Sequence, residues 1–499
     1  MLQQLGILII LYLIGLLFAA IFYPKLSLGL ILSSGLYWGA LINTFLGVIL
    51  GLFHAYSGVI WIIFVAIIIF LVLFHLKTKR RWESLPIKNI VLSLIVLLLC
   101  IFVGFLFFGK GNQLITSSTS LPYIILGSRI YNHKTISLPG AGYDFRSQYG
   151  ISEMLIYSLG NFINLPAISL WHPFIWLSQY IFLFCALVDY SKDIGTNKKS
   201  AYIIAGLAII WTATSSMNWF LAYYIHVHLF SSFSIFISVY FFWKMVNSSE
   251  ENKTYAILSS LALCGYGFSR VESPIMIFII LIIHFLSYEF KRNEFRLFFF
   301  PPIALMTGWL YFLFFTYKDT TTQYWSDNRL IFAIGAYIFL LISLLVLEFL
   351  KIDIKKKWAK NHIYIGFILV PLILAIIDFS KFINTLESFL RKLFGPFQQL
   401  GHGPWEFYWF EIIVLIIPLV ASIRPWERNK LTVKNSSIFI NIIISYLILI
   451  LILGFFREKP YAGTRWGDSA TRMLTHISPT IIYITIAHIL KILQPRIKN

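Results

Sequence analysis

Charge is what this chain has least of. Its 499 residues carry 40 Lys and Arg and 21 Asp and Glu, together 12 % of the whole. With 59 % hydrophobic residues and a mean hydropathy of +0.80, no room is left for a sizeable soluble domain. Cysteine is scarce too: Cys100, Cys185 and Cys264 all fall within apolar runs, which argues against a disulfide framework or metal-ligand spacing. No internal repeat of the inverted-transporter kind and no low-complexity segment is visible. A charged leader and a cleavage site are also missing, so Leu2 to Tyr23 is expected to be a retained span rather than a removable signal peptide.

What is present is a long succession of apolar runs, each near the roughly 20 residues that cross a bilayer's hydrocarbon core. Spans are expected near 5–23, 28–53, 56–75, 89–109, 171–190, 200–217, 222–245, 254–269, 274–290, 296–317, 329–350, 362–378, 407–423, 437–456 and 473–491. The expected fold is therefore an all-α polytopic membrane protein with about fifteen transmembrane helices plus one juxtamembrane helix. That extra helix is Ile151 to Ala167, read as juxtamembrane or re-entrant. Counting it as a full span would put every later basic loop, including Lys355 to Lys357, on the wrong side.

Orientation follows from the basic residues. Lys77, Lys79, Arg80 and Arg81 close the third span, and the positive-inside rule makes them cytoplasmic. This places the N-terminus outside and the C-terminus in the cytoplasm. The net charge of +19 is explained by that rule, so no nucleic-acid partner is expected. Cations left outside suit either anionic lipid head groups or the external acids. Richness in Ile, Phe, Lys and Asn fits a bacterial cytoplasmic membrane.

Four external loops are long enough to build a site: 110–150, 318–328, 380–406 and 457–472. Cytoplasmic connections are mostly short, which puts function on the external face. In the first loop Tyr123, Arg129, Tyr131, Asp144, Arg146 and Tyr149 interleave rings with charge, and Glu153 follows. Such a mixture suits a sugar, whose faces stack on rings and whose hydroxyls take directed hydrogen bonds. It equally suits an interfacial aromatic belt. Leu121 to Tyr131 reads as a short surface helix.

The tight link Phe268–Pro274 sets Arg270 and Glu272 near the hydrocarbon boundary, with Ser273 expected to cap the next helix and Pro274 in its first turn. Charges there are expensive unless partnered, so the pair is either functional or a packing ion pair. In the fourth loop Arg465 precedes Asp468, Arg472 and His476, which share one face if a helix starts near Asp468. Its free N–H groups would suit a phosphate. The plainer reading is an Asp468 cap, an ordinary partner in Arg472 and a neutral core histidine. His226 and His228 point to opposite sides of a helix and are not expected to share a metal. Gly401 to Glu406 reads as a lid, an acceptor contact or an interfacial turn.

Three of these regions resemble the GT-C class of integral-membrane glycosyltransferases. The long first loop with its juxtamembrane helix, followed by the basic link Ser191–Ser200, is similar to the family's N-terminal module. Ser269-Arg270-Val271-Glu272-Ser273-Pro274 is similar to the Thr-Arg-Pro-Glu-Gly type of turn. Arg472-Met473-Leu474-Thr475-His476-Ile477-Ser478-Pro479 resembles an Arg-x-x-x-His-x-x-Pro pattern in the last spans. The chain departs from the family where its catalytic carboxylate usually lies: 111–120 holds no acid. The Tyr-Pro-Pro segment common later in that loop is also absent.

The resemblance implies transfer of a sugar from a polyprenyl-phosphate donor to a glycan, lipid or protein acceptor on the non-cytoplasmic face. It implies Asp144 as base with Glu153 second. Arg270, Arg465 and Arg472 would hold the phosphate and Glu272 would orient one of them, with Asp468, His476, Tyr149 and Arg146 as further substrate contacts. No cofactor is expected, and a divalent ion is left open. Membrane lipids are the remaining partner. By this likeness 1–88 is a three-span extension, 89–350 the catalytic module and 351–499 the C-terminal spans. The alternatives are a polysaccharide polymerase or O-antigen-ligase-like enzyme, then a transporter or flippase, or a non-catalytic lipid-binding subunit.

Overall fold

In a computed structural model of the chain the described residues are 2–22, 27–78, 121–147, 149–165, 168, 170–213, 221–222, 227–248, 252–320, 325–349, 356–394, 433–456 and 473–494. Among them there is no strand, and helices follow one another throughout. The first group is α1 (Leu2–Phe22), α2 (Leu28–Leu52) and α3 (Val59–Thr78). The first-loop region then gives α4 (Leu121–His133), α5 (Gly142–Ser147) and α6 (Ile151–Asn161). After these come α7 (Trp171–Asp193), α8 (Lys198–Ala213), α9 (His228–Asn247), α10 (Asn252–Gly267), α11 (Ser273–Ser287), α12 (Arg292–Thr316) and α13 (Asp327–Phe349). The chain ends with α14 (Lys356–Ile377), α15 (Phe379–Phe394), α16 (Ser437–Phe455) and α17 (Ser478–Ile492).

A helix stands at each expected span that lies within the described residues, while the stretches near 89–109 and 407–423 lie outside them. Seven of the described helices are long and apolar enough to cross a membrane: α1, α2, α7, α9, α12, α13 and α16. Others, such as α11 and α17, are apolar but shorter. The protein is thus an all-α integral membrane protein in character. Its outer faces carry large apolar side chains, among them Phe332, Phe339 and Phe349 on α13, which suit contact with lipid.

Packing inside is close. A Cβ on Gly15 would lie 1.8 Å from the Gly35 carbonyl oxygen, and one on Gly39 would lie 1.8 Å from that of Leu11. Glycine thus lets the α1 and α2 backbones touch, the small-residue packing that membrane helices use where lipid supplies no hydrophobic drive.

The segment expected to be juxtamembrane or re-entrant is α6, and it lies inside the bundle. Ile151 to Gly160 are all buried, packed between α4 and α2. It is a short inward helix that ends at Asn161, with Asn164 in the left-handed region at φ 58°. A run of alternating contacts cannot separate such a buried helix from an interfacial one by sequence alone.

Helix alternation gives the bundle two ends. At one, Thr196 Oγ1 donates to the Leu490 carbonyl at 3.3 Å, Trp243 Nε1 donates to that of Lys434 at 2.9 Å, and Lys244 pairs with Asp193 at 3.1 Å. At the other end, the first-loop region meets the α2–α3, α10–α11 and α12–α13 links. There Thr135 Oγ1 donates to the Gly51 carbonyl at 2.9 Å, Ser152 N–H to that of Phe268 at 3.2 Å, and Arg146 reaches the end of α12. That second end gathers the chemistry.

Candidate functional site

The site is built around the Phe268–Pro274 link. A Cβ on Gly150 would lie 2.0 Å from the Ser269 carbonyl oxygen, so only glycine lets the first-loop backbone lie against this link. Trp325 Nε1 pins the link from the far side by donating to the Val271 carbonyl at 2.9 Å. Ser273 does not cap α11 as expected. Its hydroxyl turns back to the Gly267 and Arg270 carbonyls at 2.8 and 2.5 Å, and Glu272 takes the N-cap position without a side-chain cap bond. Ser273 already lies in the first turn, where its Oγ faces the link's carbonyls. Pro274 does occupy the first turn.

Fixed in this way, Arg270 Nε donates to Glu272 Oε1 at 2.6 Å, with side chains only 13 % and 4 % exposed. Burial opposes the charge on Arg270, but the adjacent carboxylate outweighs it and holds the guanidinium more firmly protonated than usual. Arg270 lines a narrow cleft with Tyr149, Gly150, Phe145 and Trp309. Tyr149 stands edge-on to Tyr123 with ring centroids 4.9 Å apart. The sequence-read residues Arg270, Glu272 and Tyr149 are therefore brought together.

His476 joins them from the C-terminal side. It lies in a turn before α17, fully buried, with its Nε2 2.9 Å from His228 Nδ1 and its Nδ1 hydrogen-bonded to the Tyr446 hydroxyl. Tyr266 stands edge-on to the His476 ring at 6.3 Å. Below this, Ser231 donates to Ser269 at 2.8 Å and Ser232 to the Thr475 carbonyl at 2.9 Å. His228 and Tyr446 were not read as partners of His476. His228 lies 248 positions away, and no spacing rule reaches that far. Its neighbour His226 lies outside the described residues, as do Arg465, Asp468 and Arg472.

The two carboxylates proposed for catalysis have different surroundings. Glu153, in the first turn of α6, is 1 % exposed. Its Oε1 lies 2.9 Å from His172 Nε2, and its Oε2 accepts from Trp171 Nε1 at 3.2 Å. Tyr157 shares His172 Nε2 at 2.8 Å. Asp144, in α5, is partly open to solvent. Burial pushes its carboxyl above the usual carboxylate range, with Arg129 pulling the other way. Asp144 also accepts the Tyr149 N–H at its backbone carbonyl, 3.0 Å, which ties α5 to the cleft.

Arg146 serves the architecture. It is fully buried, pairs with Asp327 at 2.6 Å, and donates to the carbonyls of Leu313, Phe314 and Thr320. Leu313 and Phe314 lie in the last turn of α12 and Thr320 just beyond it, and the Leu313 carbonyl also accepts the Tyr317 N–H. A guanidinium committed to several protein oxygens holds α5 on α12 rather than facing a ligand.

Beside the link, on the side opposite the cleft, an open groove of about 630 Å³ runs between the starts of α11 and α13 and the end of α16. Its walls are Phe278, Phe332, Ala336 and Ile452, while Glu272 and Arg329 stand at its polar end. Val271, Pro274 and Trp325 border both groove and cleft. Among the described residues no group of three or more His, Cys, Asp and Glu is placed to hold a metal ion. No protein-family model, curated protein or solved structure matches the chain.

Proposed function

We propose that the protein is a membrane glycosyltransferase of the GT-C kind, moving a sugar from a polyprenyl-phosphate donor to an acceptor hydroxyl on the non-cytoplasmic face. The observation that carries this reading is the Arg270–Glu272 pair, set in a link with an apolar groove on one side and an aromatic cleft on the other. A polyprenyl chain fits the groove by chemistry. Its phosphate then reaches the groove's polar end, where Arg329 lines the wall and the Arg270–Glu272 pair lies in the adjoining link.

In the proposed reaction the acceptor hydroxyl attacks the anomeric carbon as its proton passes to a carboxylate within hydrogen-bond reach. A new bond forms from the anomeric carbon to the acceptor oxygen. The bond from that carbon to the donor's phosphate oxygen breaks, and the lipid phosphate leaves with the electron pair. Arg270 meets the charge growing on that phosphate, and Glu272 orients the guanidinium. Arg465 and Arg472 are assigned by the resemblance to the same phosphate, with Asp468 beside them. Asp144 is assigned the base because it alone of the two carboxylates is partly open to solvent. Glu153, His172 and Tyr157 form a buried polar cluster between α6 and the start of α7.

The test is glycosyl transfer by purified protein in liposomes, with a panel of labelled polyprenyl-phosphate sugars, comparing wild type with Asp144→Asn. Transfer that falls roughly 10²–10⁴-fold in the variant is expected of a lost general base. Undiminished transfer keeps the enzyme and removes Asp144 from the role. No transfer from any donor sinks the enzymatic reading.

A further inference from the structure

Helix α15, Phe379–Phe394, is unlike every other described helix, because its two sides differ so sharply. Apolar residues recur at Phe379, Phe382, Ile383, Leu386, Phe389 and Leu390, the i, i+3, i+4 spacing of a one-sided stripe. It is neither apolar enough to be a span nor polar enough to be a soluble linker.

Its surroundings divide it three ways. At about 100° per residue, Thr385, Ser388 and Phe389 fall on one side, and these are the buried ones. That side packs on α14 and α16, where Lys381 Nζ lies 5.2 Å from the Phe455 ring centroid. A second side carries Phe379, Ile383 and Leu390, 67 %, 39 % and 38 % exposed. A third carries Ser380, Asn384 and Glu387, all exposed.

The open apolar side has a visible continuation. Along α14 the exposed residues are Ile368, Leu369, Leu372, Ile373, Ile376 and Ile377, and the next exposed apolar residue is Phe379. Between them Asp378 turns the chain: its Oδ1 accepts the Lys381 N–H at 2.8 Å, capping α15 as α14 ends. The exposed apolar residues of α14 are thus followed directly, past the Asp378 turn, by those of α15.

We infer that α15 lies in the plane of the membrane surface, its Phe379–Ile383–Leu390 side sunk among acyl chains and its Ser380–Asn384–Glu387 side turned to head groups and water. The occupant of this face is the bilayer itself, because the face extends a surface that already meets lipid. The inference stands on the membrane character of the bundle and is independent of the reaction proposed above.

The test uses full-length protein in phosphatidylcholine nanodiscs. Single cysteines at 383, 384, 387 and 390, on a background with Cys100, Cys185 and Cys264 replaced by Ala, are spin-labelled. Collisions with oxygen and with a water-soluble nickel chelate are then compared. Labels at 383 and 390 are expected to meet oxygen and shun nickel, and those at 384 and 387 the reverse. Nickel reaching all four sites overturns the inference. Protection of 383 and 390 from both reagents also overturns it, since a second copy or another protein would then cover the face.

Discussion

The two ends of the bundle treat their charges differently. At the end holding the α7–α8 link, ion pairs keep at least one partner in water. Lys244–Asp193 has its acid 60 % exposed, and Arg292 and Arg296 reach Glu348 with 67 % and 45 % exposure. At the opposite end charged side chains go under. Arg270–Glu272 is 13 % and 4 % exposed, Glu153 is 1 % exposed beside His172, and Arg146 is wholly enclosed while its partner Asp327 stays 36 % exposed. A surface pair contributes little and costs little to lose. Burying a pair costs desolvation that its own attraction barely repays, so it is a poor device for stability alone. The first end buries one acid, Glu294 at the start of α12, where it accepts from the Lys291 N–H and the Tyr288 hydroxyl. The larger gathering of interior charge at the second end is best explained by what that end does.

This contrast makes predictions of decreasing size. The largest effect is expected from stripping one member of the central pair. Arg270→Ala or Glu272→Ala should destabilise by about 3–5 kcal/mol and abolish transfer. The paired replacement Arg270→Met with Glu272→Leu should recover the melting temperature without recovering transfer. Melting followed by intrinsic fluorescence, beside the liposome assay, separates the two. Next is Gly150→Ala, whose methyl would press on the Ser269 carbonyl. A cost of about 1–3 kcal/mol and a parallel fall in transfer are expected, because overpacking moves the loop off the link.

Glu153→Ala leaves the Trp171 N–H without its acceptor, while His172 keeps Tyr157, at about 1–3 kcal/mol. Glu153→Gln should cost less, since an amide oxygen can still accept from Trp171.

Asp144 supplies a pH dependence. Its folded-state pKa is raised chiefly by burial. Its contribution to stability is therefore full below the ordinary aspartate value of about 3.9 and is lost as pH rises through the folded pKa. Asp144→Asn should remove that loss and leave the protein slightly more stable than wild type at neutral pH, as read in melts across pH. If Asp144 is the base, the acid limb of the wild-type rate profile lies above the ordinary aspartate value. Replacing Arg129 with Gln then moves that limb further up, since Arg129 holds the pKa down. At the other end, Lys244→Ala should change stability by no more than about 0.5 kcal/mol and leave transfer unchanged.

The spans were legible because a run of apolar residues announces itself without any knowledge of partners. Arg270 and Glu272 were legible for the same reason, standing out as charges against apolar flanks. What was hidden depends on long-range pairing. Nothing in the sequence says that His476 meets His228 and Tyr446, or that Glu153 meets His172. Arg146 looked like a ligand contact because its sequence neighbours are aromatic, yet it clasps carbonyls of α12 far along the chain. The amphipathic stripe of α15 was readable at period 3.6, but it sits in what reads as a loop because it is too polar for a span. The helical stripe expected for Asp468, Arg472 and His476 falls mostly outside the described residues. Of it, only His476 is placed, in a turn ahead of the helix that starts at Ser478.

The most direct measurement is transfer from the polyprenyl-phosphate sugar panel by Arg270→Lys and Lys244→Ala proteins, side by side in the same liposomes. Lysine keeps the charge at 270 but loses the fixed fork that Glu272 orients, so the fold should survive and transfer should fall at least tenfold. Lys244→Ala should match wild type. Equal activity in the two variants, or a larger loss from Lys244→Ala, would contradict the assignment of the buried end as the catalytic one.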